Sequence, residues 1–266
     1  MHLAWVGLPA RGVWRVVAGL GVVGCGLVLA AWFGARLWPG VAAGRLFFND
    51  STAQWSFARF AIEHGAAGLY DGAALQAFQQ GIFPGLRQSF PFPYPPHYLF
   101  FVVPLGLVGV HWAWAVWSLA GLALFVMAAG RSWERAVLAL APACVVCVAY
   151  GQNGLLVGAL LVGGVRVLPR SQLWAGVLFG LATIKPQLGL LVPVALVAAG
   201  QWRAIGAAGV TAVGAGVAAG VVFGWGAWGG FFETLAGHAA AIDGAVNPRH
   251  KATVVAVLEQ FGVGRG

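Results

Sequence analysis

Long charge-free apolar runs alternate with short polar breaks along this chain. The first run, Val16–Ala35, follows Arg11 and Arg15 and matches the ~20 residues a helix needs to cross a bilayer's hydrocarbon core. It predicts a membrane helix with its basic flank in the cytoplasm and the following loop outside. The run is long for a cleaved signal sequence and no Ala-x-Ala-type site follows, so it is read as an anchor. Tyr98–Val110 and Trp112–Gly130 read as two spans broken near His111. Between Arg135 and Arg166 a charge-free stretch is interrupted by Tyr150-Gly-Gln-Asn153, which predicts two short spans meeting at a polar tip. Leu173–Ile184 and Leu188–Gly200 repeat that pattern around Lys185-Pro-Gln187. Gln201-Trp-Arg203 closes it, Ala204–Trp228 reads as another span, and Gly229–Lys251 as a second polar loop. The pattern is that of an all-α, polytopic membrane protein of about seven or eight spans, in one integral-membrane domain over residues 1–266.

The largest polar segment, Arg36–His97, holds three of the seven acidic residues: Asp50, Glu63 and Asp71. Asp50 or Ser51 can cap a helix through His64, with Gly65 placed to stop it. Trp55, Ala58 and Ile62 would share one face of that helix. Asp71 can cap a second, Gly72–Gln80, with Leu75, Phe78 and Ile82 on one stripe and Gly81 ending it. Both are expected to lie at the membrane interface. Phe90-Pro-Phe-Pro-Tyr-Pro-Pro-His97 reads as a stiff extended lead into the next span, because Pro lacks an N–H and restricts the residue before it.

Composition narrows the class. Hydrophobic residues make up 60% of the chain and charged residues 8%, against about 25% charged in a soluble domain; lipid is the main solvent. The net charge of +8 comes from basic residues dispersed at the ends of apolar runs, which reads as topology signals and lipid-headgroup contacts rather than a nucleic-acid surface. Cys144 and Cys147 are spaced C-x-x-C inside an apolar run without nearby ligands, a packing pattern rather than a metal or redox one; no cofactor or metal is assigned. Orientation carries a conflict. If Arg131–Arg135, Arg166–Arg170 and Arg203 are all cytoplasmic, both polar tips face outside, yet two full spans between His97 and Arg131 would put Arg131 outside too.

Few residues carry chemistry. Asp50, just beyond the first span, can serve as a general base for an attacking hydroxyl or as a helix N-cap. Asp71 reads as a cap, and Arg59 and Glu63 as an i,i+4 surface pair. Lys185, costly inside an apolar stretch and followed by a helix-breaking Pro186, either binds an anionic phosphate or snorkels to headgroups. Gln152 and Asn153 either line a polar cavity or link helices by hydrogen bonds. Tyr94 and His97 at the end of the first polar loop and His250 in the second join them as candidate substrate-binding residues.

The order of these features carries a resemblance. Asp50 is followed by Gly68-Leu-Tyr-Asp71, Phe92-Pro-Tyr-Pro-Pro96, Gly151-Gln-Asn153, Ala175-Gly…Gly180-Leu-Ala…Ile184-Lys185-Pro186 and Gln201-Trp-Arg-Ala204. Together they resemble the bacterial polyprenol-phosphate-dependent glycosyltransferases of family 87, from Val16 to Ala204 and more weakly to Val263. The resemblance implies a GT-C fold in the inner (plasma) membrane and transfer of a sugar, typically mannose, from a polyprenyl-phosphate carrier to a lipid or glycan hydroxyl with inversion. It implies Asp50 as the base and leaves Lys185 as the candidate for the departing phosphate. It also implies further helices after the second polar loop, so the chain reads as short at its C-terminus. Broken helices around Gln152 and Lys185 equally suit a transporter or flippase for a lipid-linked or anionic substrate, although no internal repeat is visible. A catalytically inactive membrane protein is the third reading.

Overall fold

The computed structural model describes residues 11–42, 50–84, 86, 89–130 and 134–245. Helix is the only regular secondary structure among those residues, with no strand. Helix α1 (Arg11–Ala42) is followed by α2 (Asp50–His64), a 3₁₀ turn at Ala67–Tyr70, and α3 (Gly72–Ile82). A broken segment comes next, with α4 (Leu99–Val102) between the 3₁₀ turns Pro96–Tyr98 and Val103–Leu107. Then follow α5 (Val110–Ala129), α6 (Glu134–Ala139), α7 (Pro142–Tyr150), α8 (Gly154–Val167) and α9 (Gln172–Leu181). Last are α10 (Pro186–Gly189), α11 (Leu191–Ala198), α12 (Trp202–Phe223) and α13 (Gly226–Ala245). Three stretches are long and apolar enough to cross a membrane: Val16–Arg36, Val110–Ala129 and Trp202–Phe223. This is an all-helical membrane protein.

The helices of the polar segment form where their end signals place them. Gly65 stops α2 with φ +85°, a conformation only glycine adopts without strain. The Asp71 carboxylate accepts from the N–H groups of Ala73 and Ala74 and caps α3, which runs past Gly81 to Ile82. Arg59 and Glu63 pair on the exposed side of α2. The residues of α2 from Ser51 to Ala58 are mostly buried against the rest of the protein. Phe57, Leu69, Leu75, Phe92 and Tyr98 pack into one core, and each such side chain contributes roughly 1.5–3 kcal/mol when taken out of water. Gln79 stitches this core to the proline-rich segment. Its amide donates to Ser56 Oγ and to Phe90 O, both at 3.0 Å, and accepts from Phe90 N–H at 2.8 Å.

Two sequence expectations need correction, the break near His111 and the second polar loop. Tyr98–Val110, expected as a span, falls in the helical Pro96–Leu107 segment. That segment lies along α2: Tyr98 Oη donates to Gln54 (2.7 Å), Trp55 Nε1 donates to Val108 O (2.8 Å), and Gly106 packs on Ala58 and Ile62. The break before α5 falls at Val108 and Gly109 rather than at His111. Residues 229–251, expected as a polar loop, are helical in α13 as far as Ala245.

Basic residues gather at one end of the helices. Arg166 at the end of α8 donates to Ala128 O (2.8 Å) and Gly130 O (3.4 Å), and Arg135 Nε donates to Gly130 O. Cationic side chains here satisfy the last carbonyls of α5, where the helix dipole is negative. Arg203 belongs to the same end, because Gly176 near the start of α9 abuts the backbone of Ala204. Gly176 and Gly180 let α9 and α12 approach closely: a Cβ on Gly180 would lie 2.6 Å from Thr211 Cβ and 2.7 Å from Ala208 O. That is small-residue packing suited to lipid, where there is little hydrophobic drive between helices. The opposite end gathers the polar breaks.

Candidate active site

Four segments distant in sequence meet at that polar end. Asp50 is the first residue of α2, and its helix start is pinned by Gly151, the left-handed C-cap of α7 (φ +64°). A side chain at Gly151 would run into the Cβ and backbone of Ser51, so the 150–153 tip and the start of α2 are in backbone contact. From that tip, Asn153 Nδ2 donates to Tyr98 Oη at 3.1 Å, and Tyr98 passes its own proton to Gln54 Oε1. Asn153 is 2% exposed and Tyr98 0%. This buried relay is fully engaged.

Tyr94 lies on Tyr98, with ring centroids 4.1 Å apart, and its carbonyl accepts from Tyr70 Oη at 2.8 Å. Burial pushes the Tyr94 phenol above its ordinary range, while hydrogen bonding to Gln54 and Asn153 opposes. The Lys185 ammonium stands over the Tyr94 ring, 5.8 Å from its centroid, a cation–π placement. Burial pulls the lysine below its ordinary range, and the charge of Asp50 pulls the other way. Asp50 and Lys185 are thus within electrostatic reach of each other, yet no ion pair joins them among the described residues. A carboxylate and an ammonium held near one another without pairing can both reach a ligand bound at this end.

His97 is held differently. Thr183 Oγ1 donates to Gly180 O at 2.6 Å and lies 3.2 Å from His97 Nε2. With the threonine proton committed to Gly180, His97 Nε2 is the N–H that donates to Thr183. Its Nδ1 is then a buried lone pair with no partner among the described residues. Burial draws the imidazole below its ordinary range, with the bond to Thr183 opposing, and the ring stacks on Trp228 of α13 at 6.1 Å. His97 therefore ties the proline-rich segment to α13 and to the stretch that carries Lys185.

Of the sequence candidates, Asp50, Lys185, Tyr94 and Asn153 come together, with His97 alongside. Gln152 is exposed and takes part only through Cys147, whose Sγ–H points to Gln152 Oε1 at 3.6 Å. His250 lies outside the described residues. Gln54, Tyr98, Thr183 and Cys147 also belong here and were not among the candidates. Tyr98 and Thr183 are hidden in sequence inside apolar runs, and the only signal for Gln54 is a polar residue one turn after Asp50. Among the described residues no group of three or more His, Cys, Asp or Glu could hold a metal ion.

Comparison with curated proteins and with solved structures found no match. The model of glycosyltransferase family 87 matches residues 92–264. The match takes in Tyr94, His97, Gln152, Asn153 and Lys185 and begins after Asp50, later than the Val16 start suggested by motif order. Asp50 therefore enters the site on geometry. The matched stretch covers well over half of the chain, and the chain belongs to glycosyltransferase family 87.

Proposed function

We propose that this glycosyltransferase moves a sugar, mannose by resemblance, from a polyprenyl-phosphate carrier to a lipid or glycan hydroxyl in one inverting displacement. The observation that carries the reading is the facing of Asp50 and Lys185 across Tyr94 without an ion pair. In the step, Asp50 takes the proton of the acceptor hydroxyl, and the acceptor oxygen forms a bond to the anomeric carbon. The bond from that carbon to the phosphate oxygen breaks, and its electron pair leaves with the phosphate. Lys185 stabilises the negative charge that gathers there. Tyr94 and Asn153 shape the wall between base and cation.

The proposed setting is a GT-C-type bundle in the inner membrane. The basic ends near Arg135, Arg166 and Arg203 face the cytoplasm, and the site faces outward. α1, α5, the α6–α7 pair, α8, α9, the α10–α11 pair and α12 then cross the bilayer, with the 96–107 segment lying along α2 on the outer side. Membranes containing the full chain, given radiolabelled polyprenyl-phosphate mannose, should transfer label to endogenous lipid or polymer with an inverted linkage. Accumulation of unmodified donor inside vesicles without a covalent product would overturn this in favour of transport.

A further inference from the structure

A cavity of about 350 Å³ lies on the other side of the chain break that carries Lys185, within the ~300–1,000 Å³ typical of small-molecule pockets. Its walls are apolar, with Phe179 of α9, Leu196 of α11 and Ile205 of α12 among them. The gap has a local cause. Pro193 would clash with the carbonyl of Gly189 in a continuous helix, and the chain breaks there between α10 and α11. Beyond Ile205, α12 offers the cavity small residues, Ala208, Gly209 and Ala212. An added Cβ at Gly189 or Gly209 would meet nothing within 4 Å. The chain leaves this volume unfilled.

Lys185 is not a wall residue, but Thr183 and Pro186 on either side of it are. Successive Cα atoms are ~3.8 Å apart, so the backbone of Lys185 is the partition between cavity and site. On one side stands an ammonium over Tyr94 without a carboxylate in ion-pair contact among the described residues. On the other is a dry, open-mouthed slot. The ligand that matches both at once is a phosphate attached to a hydrocarbon chain.

We propose that this cavity takes the phosphate-proximal part of the donor's isoprenoid chain, which crosses beside Pro186 while its phosphate stays on Lys185. The inference rests on the donor class proposed above, and its test separates the two.

The full chain in nanodiscs is labelled with farnesyl phosphate carrying a diazirine on its first isoprene unit, a probe without sugar whose readout needs no transfer. Label should fall on the 186–212 stretch. Gly209→Trp fills the slot from open space and should reduce labelling about tenfold, the equivalent of losing roughly two buried CH₂ groups. Gly214→Trp, on the same helix with an equally open Cβ position but off the cavity, should leave it unchanged. In transfer assays Gly209→Trp should raise KM for long-chain and two-isoprene donors alike and leave KM for the acceptor nearly unchanged. Equal labelling of the two Trp variants, label confined to another face, or complete displacement by excess diacyl phosphatidic acid each overturns the isoprenoid slot. Labelling as expected with no transfer from any donor overturns the proposed reaction and keeps the slot.

Discussion

Asp50 and Asp71 each stand at the start of a short helix in the same polar segment, and the structure uses them in opposite ways. The Asp71 carboxylate is spent on its own helix, accepting from Ala73 and Ala74 N–H at 3.0 and 3.1 Å. It is exposed, and its surroundings would be the same if the rest of the protein were removed. Asp50 faces groups from three other segments: Lys185 after α9, Tyr94 on the proline-rich stretch, and Cys147 of α7. A cap is a local contract between a side chain and the next turn. The catalytic role proposed for Asp50 needs groups that the fold brings from elsewhere, and Asp50, unlike Asp71, has them.

The strongest way to break that contrast is Asp50→Asn. Asn keeps hydrogen-bonding capacity at a helix start and changes folding little, but it cannot take a proton. Loss of a positioned general base lowers turnover by about 10²–10⁴-fold. Turnover measured on protein of unchanged detergent stability should fall by that amount. A well-folded Asp50→Asn variant retaining most of its turnover would falsify the role.

A smaller effect sharpens the same contrast from the cationic side. A charge-assisted hydrogen bond contributes roughly 1.5–3 kcal/mol, so Lys185→Gln should weaken the apparent affinity for donor by about ten- to a hundredfold. Acceptor affinity should change far less. Lys185→Arg should recover part of the loss, since charge survives while the point-like ammonium is replaced by a planar fork. Equal weakening of donor and acceptor, or none of either, would place Lys185 at the lipid headgroups instead.

What sequence could show follows from the range of each interaction. The ends of α2 and α3 were legible because Gly65, Asp71 and the Arg59–Glu63 pair act within one turn. The apolar runs were legible as helices, and Lys185 as an anomaly, because a lone charge in a hydrophobic stretch stands out. Tyr98–Val110 was legible only as an apolar run. That the Pro96–Leu107 segment lies along α2 rests on contacts with Gln54, Trp55 and Ala58, which no local pattern announces. Tyr98 and Thr183 were missed for a related reason. Each sits in an apolar run, and its partner, Asn153 or His97, is supplied by a segment far along the chain.

The smallest expected effect belongs to Asp71, and it tests whether the two aspartates differ in kind or only in degree. Asp71→Ala removes the acceptor for two N–H groups at the start of α3, and cap losses of this type cost about 1 kcal/mol. Asp71→Asn, which can still accept, should cost only a few tenths of that. The loss should remain local to α3, because Gln79 near its far end is locked to Ser56 and Phe90 by three hydrogen bonds. Thermal unfolding in detergent should therefore drop by a few degrees for Asp71→Ala, and turnover below the transition should stay within about twofold of the parent. If Asp71→Asn reduced turnover as severely as Asp50→Asn while melting at the parent's temperature, the two carboxylates would share the chemistry. The polar segment would then have to be read as a paired-acid site rather than as one base and one cap.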